Sequence, residues 1–203
     1  RRGIRININQ AVSNGSSSRD WAEDPHMIVK LLTPATKHVV LFLGGNDVTQ
    51  LFDSSCTNAV RDCSERIASS VAANLRAVLL PVLQAFPNVR VLLPTYEIPT
   101  SGPSCELKLG GKALCSNFHS LGFESETACA RTIFYSTQQE WLRRIAVDVD
   151  TPTATLLERV TVVNLAGTLQ AAAGVPGASP GKPVLSVKTP ARFYTIATDC
   201  VHP

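Results

Sequence analysis

Ile4, Ile6 and Ile8 alternate with polar residues, the two-residue period of a strand with one buried face. A Gly/Ser loop over residues 14–18 follows, and a helix is predicted over about 20–32. Residues 38–43 form a β-branched and aromatic run that ends in Gly44-Gly45, which predicts a buried strand. Over about 57–86, Ile67, Val71, Leu75, Val78, Leu79, Val82 and Phe86 recur at helical spacing, with Arg61, Glu65 and Arg66 at polar positions. Pro81 is expected to kink or divide that helix, because proline has no N–H to donate. Residues 89–93 predict the next strand, closed by Pro94.

Residues 97–129, rich in Gly, Ser and Cys, read as a long loop excursion pinned by disulfides. A helix over about 130–146 and a strand over 160–165 come next, and residues 174–183 are a surface loop by composition. There is no internal repeat. Strands alternating with helices predict the α/β class, a three-layer α/β/α sandwich around a mainly parallel sheet, in one domain over residues 1–203. Chemistry in such sheets gathers in loops beyond the carboxyl ends of the strands.

Composition narrows the function classes. The 203 residues are 44% apolar and 17% charged, enough for one core that buries roughly 70% of the unfolded chain's surface. A net charge of +3, with no basic run longer than two residues, argues against nucleic-acid binding. The longest uninterrupted apolar run, Val39-Val40-Leu41-Phe42-Leu43, falls far short of the ~20 residues a membrane helix needs, so no transmembrane segment is expected. Six cysteines, Cys56, Cys63, Cys105, Cys115, Cys129 and Cys200, include no Cys-x-x-Cys pair. They read as three disulfides made in an oxidising, extracytoplasmic compartment, the alternative being buried free thiols. Six cysteines allow 15 connectivities, and only the local pair Cys56/Cys63 stands out. The opening Arg1-Arg2-Gly3 shows no signal peptide, as a mature secreted chain or a fragment would begin.

Three segments carry candidate chemistry: Asn9 to Gly15, Gly44-Gly45-Asn46-Asp47, and Asp199-Cys200-Val201-His202-Pro203. In Asp-x-x-His the carboxylate of Asp199 can hold one imidazole N–H of His202 and leave the other nitrogen as a general base; the competing reading is a solvated terminal histidine. In Gly-x-Asn-Asp, glycine admits close approach to a ligand and the Asn46 amide can donate to a developing oxyanion. The competing reading is a strand-to-helix turn in which Asn46 and Asp47 cap the next helix. Gly15 is equally open, a donor to an anion or a plain turn.

Taken together and in this order, the segments resemble the SGNH (GDSL) hydrolase superfamily, and within it the phospholipase B type of GDSL lipase. The resemblance rests on Asn9-Gln10-Ala11-Val12 with Gly15, on Gly44 to Asp47 followed by Cys56 and Cys63, and on Asp199 to Pro203. Asn14 stands before Gly15 where the family commonly has proline, and the cysteine-bearing middle matches loosely. The resemblance implies carboxylic ester hydrolysis through an acyl-serine intermediate, with an acyl ester or phospholipid as substrate and no cofactor. Asp199 would orient His202, while Gly15 N–H and the Asn46 amide would form the oxyanion hole, supported by Gly44 and Asp47.

The family's nucleophile lies in a Gly-Asp-Ser block upstream of the Gly15 block, and no Gly-Asp-Ser occurs in this chain. Gly177-Ala178-Ser179-Pro180-Gly181 matches a Gly-x-Ser-x-Gly elbow formally, but it lies in a Pro/Gly loop and Pro180 removes an N–H. Ser16, Ser17 and Ser18 read as a hydrogen-bonding turn. The serine is therefore expected on an upstream segment or partner chain, lost by cleavage or truncation, or absent in a pseudoenzyme. That segment would complete the sheet, since a missing central strand leaves an exposed edge.

Asn14-Gly15-Ser16 is a glycosylation sequon lying on the proposed oxyanion loop, where a glycan would favour the pseudoenzyme. Trp21, Trp141, Phe134 and Tyr135 read as packing residues. His26, His38 and His119 lack ligand spacing, so no metal is assigned, and Glu97 and Glu106 have no visible carboxylate partner. Three readings stand: a secreted serine esterase or lipase, a non-catalytic SGNH-fold part of an extracellular assembly, and a carbohydrate acetylesterase.

Overall fold

The computed structural model describes residues 16–51, 56, 60–96, 115 and 118–186. Within them the order is α1 (Ser18–Glu23), α2 (His26–Leu31), β1 (His38–Val40), α3 (Gly45–Leu51), α4 (Val60–Ala85), β2 (Arg90–Pro94), α5 (Glu126–Arg144), α6 (Thr151–Leu157), β3 (Val160–Val163) and α7 (Thr168–Ala172). The three strands form a parallel sheet in the order β1-β2-β3, with Val40 opposite Leu92 and Leu92 opposite Thr161. The α/β class expected from the alternation is present.

α4 is the central helix. Ile67, Val71, Leu75, Val78, Leu79 and Val82 form its buried stripe. Val78, Leu79 and Val82 meet Val39 of β1, Leu41 just after it, Val91 of β2 and Ile28 of α2 in one apolar contact. α5 packs on α4, as do α1, α2 and α6. Arginines close both long helices. Arg159 donates to the carbonyls of Leu83, Phe86 and Val89 past α4, and Arg76 donates to those of Arg144 and Val147 past α5. Such cations satisfy carbonyls that lack an intrahelical partner.

Among the described residues only one helical layer lies on the sheet. Both connections, β1 to β2 and β2 to β3, step the same way across the sheet. Right-handed crossovers then place their helices on one face. The other face carries Val40 and Leu92, and Val40 is 63% exposed. Residues 38–40 are accordingly not the buried strand expected from their composition. β1 is an edge strand among the described residues, and burial begins only with Leu41 and Leu43 at its carboxyl end.

Other boundaries shift for local reasons. The helix predicted over 20–32 is broken at Asp24-Pro25 into α1 and α2, since Pro25 has no N–H with which to continue α1. Pro81 does not divide α4, which runs 26 residues through it. The backbone bond lost there is offset by burial of Val78, Leu79, Val82 and Leu83 on either side. α5 starts at Glu126 because the Ser125 side chain accepts the Ala128 N–H at 3.1 Å, so the excursion ends before residue 129. Asp150 caps α6 in the same way, through Thr153 N–H at 2.9 Å.

α4 is long and apolar enough to cross a membrane by length and composition, although half of its most apolar window is buried inside the molecule. Small residues such as Ala68, Ala72 and Ala73 give it that character without a long run of large apolar side chains. Cys56 pairs with Cys63, Cα atoms 5.7 Å apart, and Cys115 with Cys129 at 5.8 Å. Both disulfides are compatible with an extracellular location. The strand expected at Ile4, Ile6 and Ile8, together with Cys105 and Cys200, lies outside the described residues.

Candidate functional site

The carboxyl ends of all three strands open on one side. β1 leads into Gly44 to Asp47, β2 into Thr95 and Tyr96, and β3 into Asn164 and Leu165. Thr95 joins the last two, donating to Asn164 Oδ1 at 3.2 Å and accepting the Leu165 N–H at 2.8 Å.

Gly44 has φ +109°, and a Cβ there would stand 3.0 Å from Trp141 of α5 and 3.1 Å from Val71 of α4. Gly45 lies against Tyr96 so closely that a Cβ would be 2.6 Å from the ring. Gly44 excludes larger residues through both backbone conformation and space, and Gly45 through space. The turn is thus set down between α4, α5 and the end of β2 with its two following polar side chains directed at the α1 loop.

Asn46 Nδ2 donates to the Ser16 carbonyl at 2.9 Å, across 30 residues of sequence. Asp47 is buried at 1% exposure and accepts twice from Ser18, N–H to Oδ2 at 2.7 Å and Oγ–H to Oδ1 at 2.7 Å. Asn74 of α4 donates to Ser18 Oγ at 3.0 Å and closes the network. Burial raises the Asp47 pKa from the ordinary carboxylate value; the two Ser18 bonds oppose it, and the charge of Asp20 adds to it. Desolvation wins because the carboxylate faces dipoles rather than a cation.

The three serines after Gly15 are all engaged. Ser16 Oγ accepts from Trp21 Nε1 at 2.9 Å, and Ser17 forms a capping box with Asp20 at the start of α1. The bonds from Ser17 lower the Asp20 pKa. Ser18 is held by Asp47. The hydrogen-bonding turn expected here is present, and it leaves these hydroxyls committed.

Ser179 is equally far from a nucleophile's setting. It pairs with Lys182 in a tight turn, preceded by α7 rather than a strand and followed by no helix among the described residues, so the Gly-x-Ser-x-Gly match lacks the setting of an elbow. Trp21, Phe134 and Trp141 are buried core, and Tyr135 donates to the Gly181 carbonyl at 3.3 Å.

Of the expected site residues, Gly44, Asn46 and Asp47 are brought together with residues 16–18. Asn14, Gly15, Asp199 and His202 lie outside the described residues. Two residues were not singled out from sequence. Tyr96 packs on Gly45, and Gln138 of α5 grips the Tyr96 backbone, Oε1 accepting its N–H at 2.8 Å and Nε2 donating to its C=O at 3.1 Å. The position of Tyr96 just past a strand end was the available signal; nothing in the sequence marked Gln138. Among the described residues no group of three or more His, Cys, Asp and Glu is placed to hold a metal. No family model, curated protein or solved structure matches the chain, so what it can do is argued from these contacts and from its motifs.

Proposed function

We propose that this chain is the downstream part of a secreted SGNH-type serine ester hydrolase acting on an acyl ester such as a phospholipid. The observation that carries the reading is the bond from Asn46 to Ser16. It holds the Gly44–Asp47 turn against the loop that follows Gly15, which is where a two-donor oxyanion hole would be assembled. Both lie on the carboxyl side of the sheet.

In the proposed reaction a serine Oγ attacks the ester carbonyl carbon while its proton passes to His202, oriented by Asp199. Gly15 N–H and Asn46 Nδ2 bind the oxyanion. The intermediate collapses, the C–O bond breaks, and the leaving alkoxide takes the proton from His202. Water then cleaves the acyl-serine with His202 again as base, releasing the carboxylic acid and the free serine.

The serine is assigned to an upstream segment or partner chain that adds a strand beyond β1 and restores the sandwich. One observation supports that slot: among the described residues β1 is an edge strand, and its Val40 is 63% exposed.

A second reading, a non-catalytic domain of an extracellular assembly, is favoured by one observation: Asn46 donates to the Ser16 carbonyl, and the loop hydroxyls are engaged by Trp21, Asp20 and Asp47. A fluorophosphonate probe on the natively purified protein separates the two. Label on a serine outside these 203 residues, mapped by mass spectrometry, is the expected result. Absence of label on folded protein would leave the non-catalytic reading.

A further inference from the structure

We propose that Asp20 is the positioning residue for the Asn46 amide, acting through the peptide that joins Ser16 to Ser17. The proposal deepens the ester-hydrolase reading and rests on it only for the catalytic consequence.

One peptide unit meets both side chains. Its N–H, that of Ser17, donates to Asp20 Oδ2 at 2.6 Å. Its C=O, that of Ser16, accepts from Asn46 Nδ2 at 2.9 Å. The unit is planar, so a carboxylate on the N–H also fixes the direction in which the carbonyl points. It draws charge toward the carbonyl oxygen as well, which makes Ser16 a stronger acceptor for Asn46. The bonds from Ser17, N–H first and hydroxyl second, hold the Asp20 carboxyl below its ordinary pKa and keep it anionic at neutral pH.

The neighbouring bonds act on either side of this peptide rather than on it. Trp21 Nε1 donates to the Ser16 side chain at 2.9 Å, and the Ser18 N–H, on the next peptide, goes to Asp47 at 2.7 Å. An amide –NH2 carries two donors in one plane, so aiming one at Ser16 sets the direction of the other. Oxyanion donors work only at about 2.7–3.1 Å from the developing charge. A tilt of the Ser16–Ser17 peptide is therefore felt in the transition state more than in substrate binding.

Asp20 also completes the capping box of α1, so the test must separate positioning from helix capping. Asp20→Ala removes the acceptor, and because Asp20 is exposed the change leaves the core intact. Asp20→Asn keeps an acceptor oxygen without the charge. Ser17→Ala removes the capping hydroxyl and keeps the Ser17 N–H. In the intact protein, accompanying chain included, two readouts are taken: the Asn46 side-chain amide resonances, identified by their loss in Asn46→Ala, and hydrolysis of a p-nitrophenyl ester. Asp20→Ala should shift the Asn46 pair and lower kcat about fivefold with KM unchanged. Asp20→Asn should move the pair in the same sense by less, and Ser17→Ala should leave it in place. An unmoved Asn46 pair in Asp20→Ala overturns the proposal, and so does full kcat with the pair displaced. An equal displacement in Ser17→Ala also overturns it, by assigning the effect to the cap of α1. A wild type that hydrolyses nothing, with the Asn46 pair still displaced in Asp20→Ala, removes the ester-hydrolase reading and leaves the positioning intact.

Discussion

Two glycine-bearing turns in this chain, Gly44 to Asp47 and Gly177 to Lys182, offer similar chemistry on paper and are built differently. Remote parts of the chain hold the first turn. Gly44 lies against Trp141 and Val71, Gly45 against Tyr96, Asn46 on Ser16 and Asp47 on Ser18. In the second, the backbone of Ser179 and Lys182 closes the turn. Lys182 N–H donates to the Ser179 carbonyl at 2.8 Å and Ser179 N–H to the Lys182 carbonyl at 3.1 Å. Pro180 and Gly181, the latter at φ +80°, occupy the two central positions that a type II turn favours for them. The second turn also has distant ties, Gly181 N–H to the Ala166 carbonyl at 2.8 Å and Tyr135 to the Gly181 carbonyl at 3.3 Å. Only in the first do such ties run through the polar side chains themselves, Asn46 and Asp47.

The sharpest way to break this contrast is at the polar residue of each turn. Asn46→Ala should cut turnover of the proposed hydrolase by ~10²–10³, the usual cost of one oxyanion donor. Ser179→Ala should leave turnover unchanged. Steady-state hydrolysis by the two variants of the intact protein decides it. A loss at Ser179 would make the formal elbow real, and full activity in Asn46→Ala would remove the oxyanion role.

The same contrast extends to stability. Gly45→Ala drives a methyl to 2.6 Å from the Tyr96 ring, which is locked by Gln138 and flanked by Phe42 and Phe134. Overpacking of this kind costs about 1–3 kcal/mol, which urea unfolding would read as a lower midpoint. At Gly177 a Cβ meets only Val184, at 3.7 Å, and the penalty is that of a positive φ, roughly 1 kcal/mol. Equal losses at the two positions would mean that the first turn moves aside and is less constrained than its contacts imply.

How far these features were legible follows from how local each one is. The α4 stripe and β2 announce themselves because their burial is periodic along the chain. α6 carried a readable signal, Asp150 capping with Pro152 in the first turn, yet it is too short for periodicity to mark it. The open face of β1 was not legible. Composition reports that Val39, Val40 and Leu41 are apolar; which of them finds a partner depends on strand order and crossover hand. At the site, the Gly44-Gly45-Asn46-Asp47 pattern pointed to Asn46 and Asp47, whereas the parts of Tyr96 and Gln138 exist only once β2 and α5 are packed. Ser16 to Ser18 read as a hydrogen-bonding turn and form one with Trp21 and Asp20, but Asp47, the distant partner of Ser18, could not be named from sequence.

The smallest expected effect lies in pH, where only the first turn has a buried titratable tie. Burial raises the Asp47 pKa in the folded chain above its unfolded value, near 3.8. The folded state then binds more protons than the unfolded state between the two values, so this carboxyl's contribution to stability falls as pH rises through that window and is constant above it. Asp47→Asn abolishes the titration. It also replaces one acceptor facing Ser18 with an N–H donor, a pH-independent loss. The advantage of wild type over Asp47→Asn in urea unfolding should therefore narrow from about pH 3 upward and then level off, with no such slope for Ser179→Ala. A difference that widens over the same range would mean that the two Ser18 bonds outweigh burial and hold Asp47 as a favoured carboxylate. The loop after Gly15 would then be clamped by charge-assisted bonds whose grip strengthens as Asp47 ionises, and loop order and turnover would fall together in acid.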